Sequence, residues 1–171
     1  MKIPACYYHR EKTNQGATMN PNEKLKKLGI ELPQAAKPLA SYVPSLRSGN
    51  YIFVSGQLPI RDGKLLFEGK VPSDVSIEDG YQAARIAVIN ILAAVKSEIG
   101  DLSKVKRIVR LNGFVQSADD FTMQPKVING ASDLLVEIFE DAGKHTRAVM
   151  GVNSLPMNSV LEIDAIVEVE D

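Results

Sequence analysis

The chain has 171 residues, 44% of them hydrophobic and 24% charged, and its 20 basic and 21 acidic side chains give a formal net charge of −1. This length and apolar content predict one domain with a buried core and exclude a disordered tail. The charge balance offers no general attraction to phosphate or anionic lipid. Cys6 is the single cysteine, so no internal disulfide is expected, and no Cys/His cluster is present to hold a metal.

Membrane insertion and secretion are not expected. The longest apolar run, residues 86–95, is interrupted by Asn90 and falls well short of the roughly 20 residues that a membrane span needs. The N-terminus lacks the apolar segment of a secretion signal. We therefore expect a cytoplasmic protein with no membrane partner.

The organisation of the chain changes near Met19. Residues 1–18 show neither the helical nor the strand period, and we expect them to be a dispensable N-terminal extension. Residues 19–171 are expected to form a single domain, which begins with a short amphipathic helix ending at Gly29. Three prolines then indicate an extended lead-in: Pro33, Pro38 and Pro44.

The next segments predict a hairpin and a long helix. β-Branched and aromatic residues predict a strand over Tyr51–Ser55. An Asp-Gly turn follows, so Lys64–Phe67 is expected to return as the hairpin partner of that strand. Ser76–Asp79 resembles a capping box, and apolar residues spaced three and four apart continue the helix to Gly100.

The second half of the chain predicts two further α/β units. A strand is expected over Val105–Val115, a helix ending at Gly143, and strands over Thr146–Val152 and Val160–Val169. The order β-β-α-β-α-β-β predicts an α+β domain with two helices on one face of a sheet.

The other face of that sheet predicts an oligomer. The strands over Tyr51–Ser55 and Val105–Val115 are apolar on both sides, although two helices can cover only one. A lone subunit would expose a larger apolar patch than monomers usually tolerate. The alternative is that the N-terminal 50 residues fold over this face.

Few residues are candidates for chemistry. The phosphate-binding, nucleophile-elbow and HExxH motifs are absent, and His145 is the only histidine after residue 18, which disfavours triad and two-histidine ribonuclease mechanisms. If the last two strands pair as neighbours, Arg147 and Glu162 lie close together. The arginine fork suits a carboxylate, and the glutamate can activate a water; the alternative is an ordinary solvated pair.

Other polar positions allow two interpretations each. Gly56, between Ser55 and Gln57, either lets a ligand approach the backbone or marks a bulge. Asn129 suits either the cap of the second helix or a pocket. The basic stretch Lys104–Arg110 is either a solvated strand edge or an RNA track.

In combination, these residues resemble the RidA/YjgF family, also called endoribonuclease L-PSP or reactive-intermediate deaminase. The resemblance extends over about Tyr42 to Val169 and rests on Ser55-Gly56-Gln57, Asn129, Arg147, Leu155-Pro156 and Leu161–Ala165. It implies a chorismate-mutase-like fold, assembled as a homotrimer with ligand clefts between subunits.

The resemblance also implies roles for individual residues. In deaminating members, the arginine matching Arg147 grips the carboxylate of a 2-imino or enamine acid, and the glutamate matching Glu162 holds or activates water. Backbone groups near Gly56 and Val149 line the pocket, and Tyr42 closes it. The implied reaction is hydrolysis of a small carboxylate substrate to a 2-oxo acid and ammonia, with no cofactor. The residues themselves predict no metal site, and a nucleic acid partner is not favoured.

The chain departs from the family pattern at two positions. Val149 stands where typical members carry a cysteine, and Ser132 replaces an aromatic residue. Ser132 indicates a reshaped pocket, whereas Val149 is compatible with activity if only the backbone at this position contacts the substrate. Two other functions stay open: a single-stranded RNA endoribonuclease or translation inhibitor that uses His145 and the basic stretch, and a non-catalytic protein that binds small carboxylates.

Overall fold

The computed structural model describes residues 19–35 and 41–170. The expected extension over residues 1–18 lies outside the described residues. In chain order the elements are α1 (Pro21–Lys27), β1 (Ser45–Ser48), β2 (Tyr51–Gln57), β3 (Ile60–Arg61), β4 (Lys64–Leu65), α2 (Ile77–Ile99), β5 (Val105–Gln116), α3 (Gln124–Phe139), β6 (Thr146–Val152) and β7 (Leu161–Val169).

Five strands form one sheet in the order β1-β2-β7-β5-β6. Neighbouring strands are antiparallel except β6, which runs parallel to β5 at one edge. A parallel neighbour requires a crossover connection, and α3 supplies it between β5 and β6. The loop after β6 then carries the chain past β5 to β7, so the last two strands are not neighbours.

The expected partner of β2 was wrong. Lys64–Phe67 contributes only β4, which pairs with β3 in a separate ribbon around Asp62–Gly63, two residues with positive φ. The strand β2 instead pairs with β1, which lies just after Pro44 at the end of the segment expected to be an extended lead-in. The turn between β1 and β2 has two residues and begins at Gly49, whose φ of 57° suits a tight hairpin.

Both long helices cover the same face of the sheet, as predicted. The Ser76 hydroxyl accepts a hydrogen bond from the Asp79 N–H at 3.0 Å, and this cap starts α2. The helix α3 ends at Phe139 and is continued to Gly143 by a 3₁₀ turn. Alternate residues of β7 lie in the core under the helices: Leu161, Ile163, Ala165, Val167 and Val169.

The opposite face of the sheet, called the open face below, carries an exposed apolar row. Leu46, Phe53 and Ile166 lie side by side on β1, β2 and β7. Leu46 is 60% exposed and Phe53 46%, and the described part of the lead-in leaves them so. A contiguous apolar surface of this kind is typical of an interface between proteins.

The contact between α2 and α3 depends on Gly130. A Cβ at this position would overlap the Tyr81 carbonyl oxygen, and backbone cannot move aside as a side-chain end can. We expect Gly130→Ala to lower the free energy of unfolding by about 1–3 kcal/mol, measured by urea denaturation.

The matched control is Gly80→Ala in the same helix pair. Its Cβ would meet a methyl of Val127 at 3.0 Å. Both variants gain a similar helix propensity, but a side-chain methyl can move aside where a backbone carbonyl cannot, so the loss is expected to be smaller for Gly80→Ala. Equal effects of the two variants would contradict this account of the contact.

Candidate functional site

Arg147 lies on the helix-covered side of the edge strand β6. It is level with the buried Leu111 of β5, so its side chain leaves the sheet toward α3. There its Nη1 donates hydrogen bonds to Asn129 Oδ1 at 3.0 Å and to Ser132 Oγ at 2.9 Å. These two acceptors are three residues apart on α3 and therefore share one face of the helix.

Gly143 brings the chain close enough to α3 for these bonds to form. A Cβ on Gly143 would overlap the Leu135 carbonyl oxygen, so only glycine permits this approach. Two residues later, His145 Nδ1 lies 2.7 Å from the Gly143 carbonyl oxygen, and its Nε2 lies 3.0 Å from Ser132 Oγ. The start of β6 is thereby aligned with α3.

The charge of Arg147 is not compensated by any carboxylate of the described residues. The guanidinium is half-buried and takes part in none of the ion pairs found there. Within the same residues its Nε and Nη2 form no hydrogen bond. An edge with two parallel N–H donors matches the two oxygens of a carboxylate.

Glu162 lies on the open face, above Gly56. It is level with Phe114 of β5, and a Cβ on Gly56 would overlap its Oε1. A bulge in β2 between Val54 and Gln57 places Gly56 there. Of the two interpretations of this glycine, the structure therefore shows a bulge together with a close approach, and the close neighbour is a carboxylate.

Burial raises the pKa of the Glu162 carboxyl, and the nearby negative charge of Asp164 raises it further. Burial also raises the pKa of Asp164, although the hydrogen bond from Asn112 and the charge of Arg110 oppose that shift. The Asn112 amide donates to Asp164 at 2.8 Å. A carboxylate with a raised pKa is a better acceptor of a proton from water near neutral pH.

A shallow groove next to Glu162 contains three of the other predicted site residues. Tyr42, Ser55 and Gly56 line it together with Asp164. The Ser55 hydroxyl donates to the Val43 carbonyl at 2.7 Å, which fixes the segment carrying Tyr42. Hence this half of the predicted set gathers around the bulge.

Three predicted site residues lie elsewhere. Gln57 is level with the buried Ile163, on the helix-covered side, and does not line the groove. Asn129 is the sixth residue of α3, so the capping interpretation is wrong, and it bonds Arg147 instead. The side chain of Val149 packs against the core, which leaves its backbone, on an edge strand, for any ligand contact.

The expected proximity of Arg147 and Glu162 within one chain is wrong. The strand β5 lies between their strands. Across β5, Arg147 is level with Ala165 of β7, and Glu162 lies three residues from Ala165 along β7. Two strand spacings and three residue rises separate their Cα atoms by about 14 Å. Their side chains also leave opposite faces of the sheet.

The sequence analysis assigned no function to Ser132 and noted it only as a departure from the family pattern. Its role depends on a hydrogen bond between α3 and β6, and a pattern along one helix contains no information on that partner. The three-residue spacing from Asn129 is the one signal that places both on one helix face.

The sequence and the fold match a known group of proteins. Residues 22–169 match the family described as "YjgF/chorismate_mutase-like, putative endoribonuclease". The chain belongs to this family, as the resemblance predicted, and the chorismate-mutase-like α+β fold is confirmed.

Individual relatives support the assignment. A solved structure of a protein of unknown function from Agrobacterium tumefaciens is 47% identical, with a TM-score of 0.83 over 88% of this chain and 92% of that one. Protein TCP17 of Trypanosoma cruzi is 41% identical over 86% of this chain and 92% of its own length. The 2-iminobutanoate/2-iminopropanoate deaminase of Dermatophagoides farinae is 27% identical over 82% and 95%.

Among the helices of the described residues, none combines the length and apolar character needed to cross a membrane.

The coupling of Glu162 to Asp164 is testable by titration. Asp164→Asn removes a negative charge beside Glu162, so we expect the pKa of Glu162 to fall toward its ordinary value. The measurement is an NMR titration of side-chain carboxyl carbons, with the Glu162 signal assigned by its absence in Glu162→Gln. Asp133→Asn, which removes a carboxylate bonded to Tyr81 on the helices, is the matched control. A Glu162 pKa unaffected by Asp164→Asn would show that burial alone raises it.

Proposed function

We propose that this protein hydrolyses small 2-imino or enamine acids to 2-oxo acids and ammonia, in a cleft between subunits of a homotrimer. The observation that carries the proposal is the Nε/Nη2 edge of Arg147, which has no partner among the described residues. A cation held by neutral oxygens attracts an anion, and its fork geometry favours a carboxylate.

The position of the two halves supports an intersubunit cleft. Arg147 and Asn129 lie at the β6 edge on the helix-covered side, whereas Glu162 and Gly56 lie on the open face. Both halves can enclose one small ligand only if different subunits supply them. The exposed apolar row on the open face is the surface that such an assembly would bury.

In this cleft the reaction needs positioning and one proton acceptor. Arg147 binds the substrate carboxylate, which orients the electrophilic imine carbon toward a water near Glu162. The water oxygen bonds to that carbon as Glu162 takes one water proton, and the electrons of the carbon–nitrogen double bond move to the nitrogen, which receives that proton. Glu162 then takes the remaining hydroxyl proton and delivers it to the nitrogen as the carbonyl double bond forms and the carbon–nitrogen bond breaks. Ammonia and the 2-oxo acid leave.

The contacts of the basic stretch favour the deaminase over the ribonuclease. Lys106 and Arg107 both lie against Glu168, so part of their charge is already balanced. Both ring nitrogens of His145 are engaged, with Ser132 and Gly143. Carboxylate binding without turnover would instead indicate the non-catalytic alternative.

Removal of the Arg147 guanidinium is the first test. Arg147→Ala is expected to lower kcat/KM for 2-iminopropanoate, generated in situ by an amino acid oxidase, by roughly 100-fold or more. Arg61→Ala, on the exposed β3–β4 ribbon, is the matched control and should retain full activity. Unchanged hydrolysis by a correctly assembled Arg147→Ala protein would refute the proposed function.

Mixed oligomers test the shared cleft. Arg147→Ala and Glu162→Gln are each expected to be inactive alone. Co-expressed, they form clefts that combine an intact Arg147 from one subunit with an intact Glu162 from its neighbour, and random mixing predicts about a quarter of the wild-type activity. Light scattering verifies the trimer. No recovery in verified mixed trimers would place both groups in the same subunit and overturn the shared cleft.

A further inference from the structure

Ser132 lies between Arg147 and His145 in one line of hydrogen bonds. Arg147 Nη1 donates to Ser132 Oγ at 2.9 Å, and Ser132 Oγ lies 3.0 Å from His145 Nε2. Because a guanidinium only donates, Ser132 must accept from it, and its own proton is then directed at the imidazole. Asn129, three residues before Ser132 on the same face of α3, also accepts a hydrogen bond from this Nη1.

The Gly143 carbonyl, at the end of this line of hydrogen bonds, determines which ring nitrogen of His145 carries the proton. Its Nδ1 lies 2.7 Å from the Gly143 carbonyl oxygen, which can only accept, so Nδ1 carries the proton. In the neutral ring, Nε2 then has a free lone pair and accepts from Ser132. Burial lowers the pKa of His145, and the positive charge of Arg147 lowers it further. The hydrogen bond to the Gly143 carbonyl opposes this shift. The net lowering of the pKa favours the neutral ring.

We propose that Ser132 and His145 are positioning residues that hold Arg147 Nη1, so that its Nε/Nη2 edge stays aimed at the substrate carboxylate. This inference rests on the proposed function, because it assigns a carboxylate to that edge. The backbone of Gly143, packed against α3, is the fixed point of the line. The Gly143 backbone therefore fixes the direction of the Arg147 guanidinium through hydrogen bonds to two neutral side chains, His145 and Ser132.

Two substitutions interrupt the line at different places. Ser132→Ala removes the link itself. His145→Asn keeps an N–H able to reach the Gly143 carbonyl and removes the acceptor at Nε2. Each is expected to raise KM for 2-iminopropanoate and the Kd for 2-oxobutanoate about five- to thirtyfold, with kcat within about twofold, since the lost interaction acts on binding.

Two further variants separate positioning from general damage to the structure. Ser132→Thr retains the hydroxyl and should retain most of the affinity. Ser97→Ala removes a helix serine that bonds only its own helix, at Ala94, and should change nothing. A purely structural role would lower the active fraction, and so kcat, without changing KM.

The imidazole tautomer gives a readout independent of activity. The chain has two histidines, and His145→Asn assigns their ¹⁵N ring signals. We expect a neutral His145 ring protonated at Nδ1 in the wild type. In Ser132→Ala the Gly143 carbonyl still holds the proton on Nδ1, and we expect the ¹⁵N signal of Nε2 to shift because that nitrogen loses its hydrogen bond. A ring protonated at Nε2 in the wild type would overturn the inference.

The outcomes are distinguishable from failure of the proposed function. If Arg147→Ala abolishes carboxylate binding while Ser132→Ala and His145→Asn leave Kd and KM unchanged, the positioning role is wrong and the proposed function stands. If the wild type binds neither 2-oxobutanoate nor the imine, both are wrong.

Discussion

A guanidinium held at one nitrogen by neutral oxygens keeps its charge for another partner. Had Asn129 or Ser132 been an acid, Arg147 would be half of an internal ion pair, with little attraction left for an anion. Two weak acceptors on one helix face fix its direction without neutralising it. The rest of the site depends on this balance between orientation and residual charge.

The sheet order determines where the other half of the site can lie. The strand β6 joins the sheet in parallel at its edge, so Arg147 is at the border of the molecule. Glu162, on the middle strand β7, faces the side that α2 and α3 do not cover. A single chain therefore presents Arg147 and Glu162 on different faces, which is why the proposed function requires a second subunit.

Local patterns sufficed for the elements whose signals are local. The Ser76 cap, the apolar stripe of α2 and the alternation in β7 each lie within a few residues, and the structure contains all three. Strand order was beyond such patterns, because it depends on which strands meet across the domain. The missed strand β1 had a usable signal in Gly49, whose tight turn the nearby prolines obscured.

The sequence supplied candidate residues for the site but not their arrangement. The family resemblance named Arg147, Glu162, Asn129 and Gly56, although their distribution over two faces followed only from register. The contact of Ser132 with Arg147 was hidden for a related reason: one half belongs to a helix and the other to a strand, and no spacing connects them.

The fit of Glu162 over Gly56 has a consequence for the evolution of this fold. Position 56 has no room for even a methyl group while the acid is in place. The two positions are therefore expected to change as a unit: lineages that keep the acid retain glycine, and those that replace it with a smaller residue are free to acquire side chains at 56. An alignment of deaminating and non-deaminating relatives should display this co-variation.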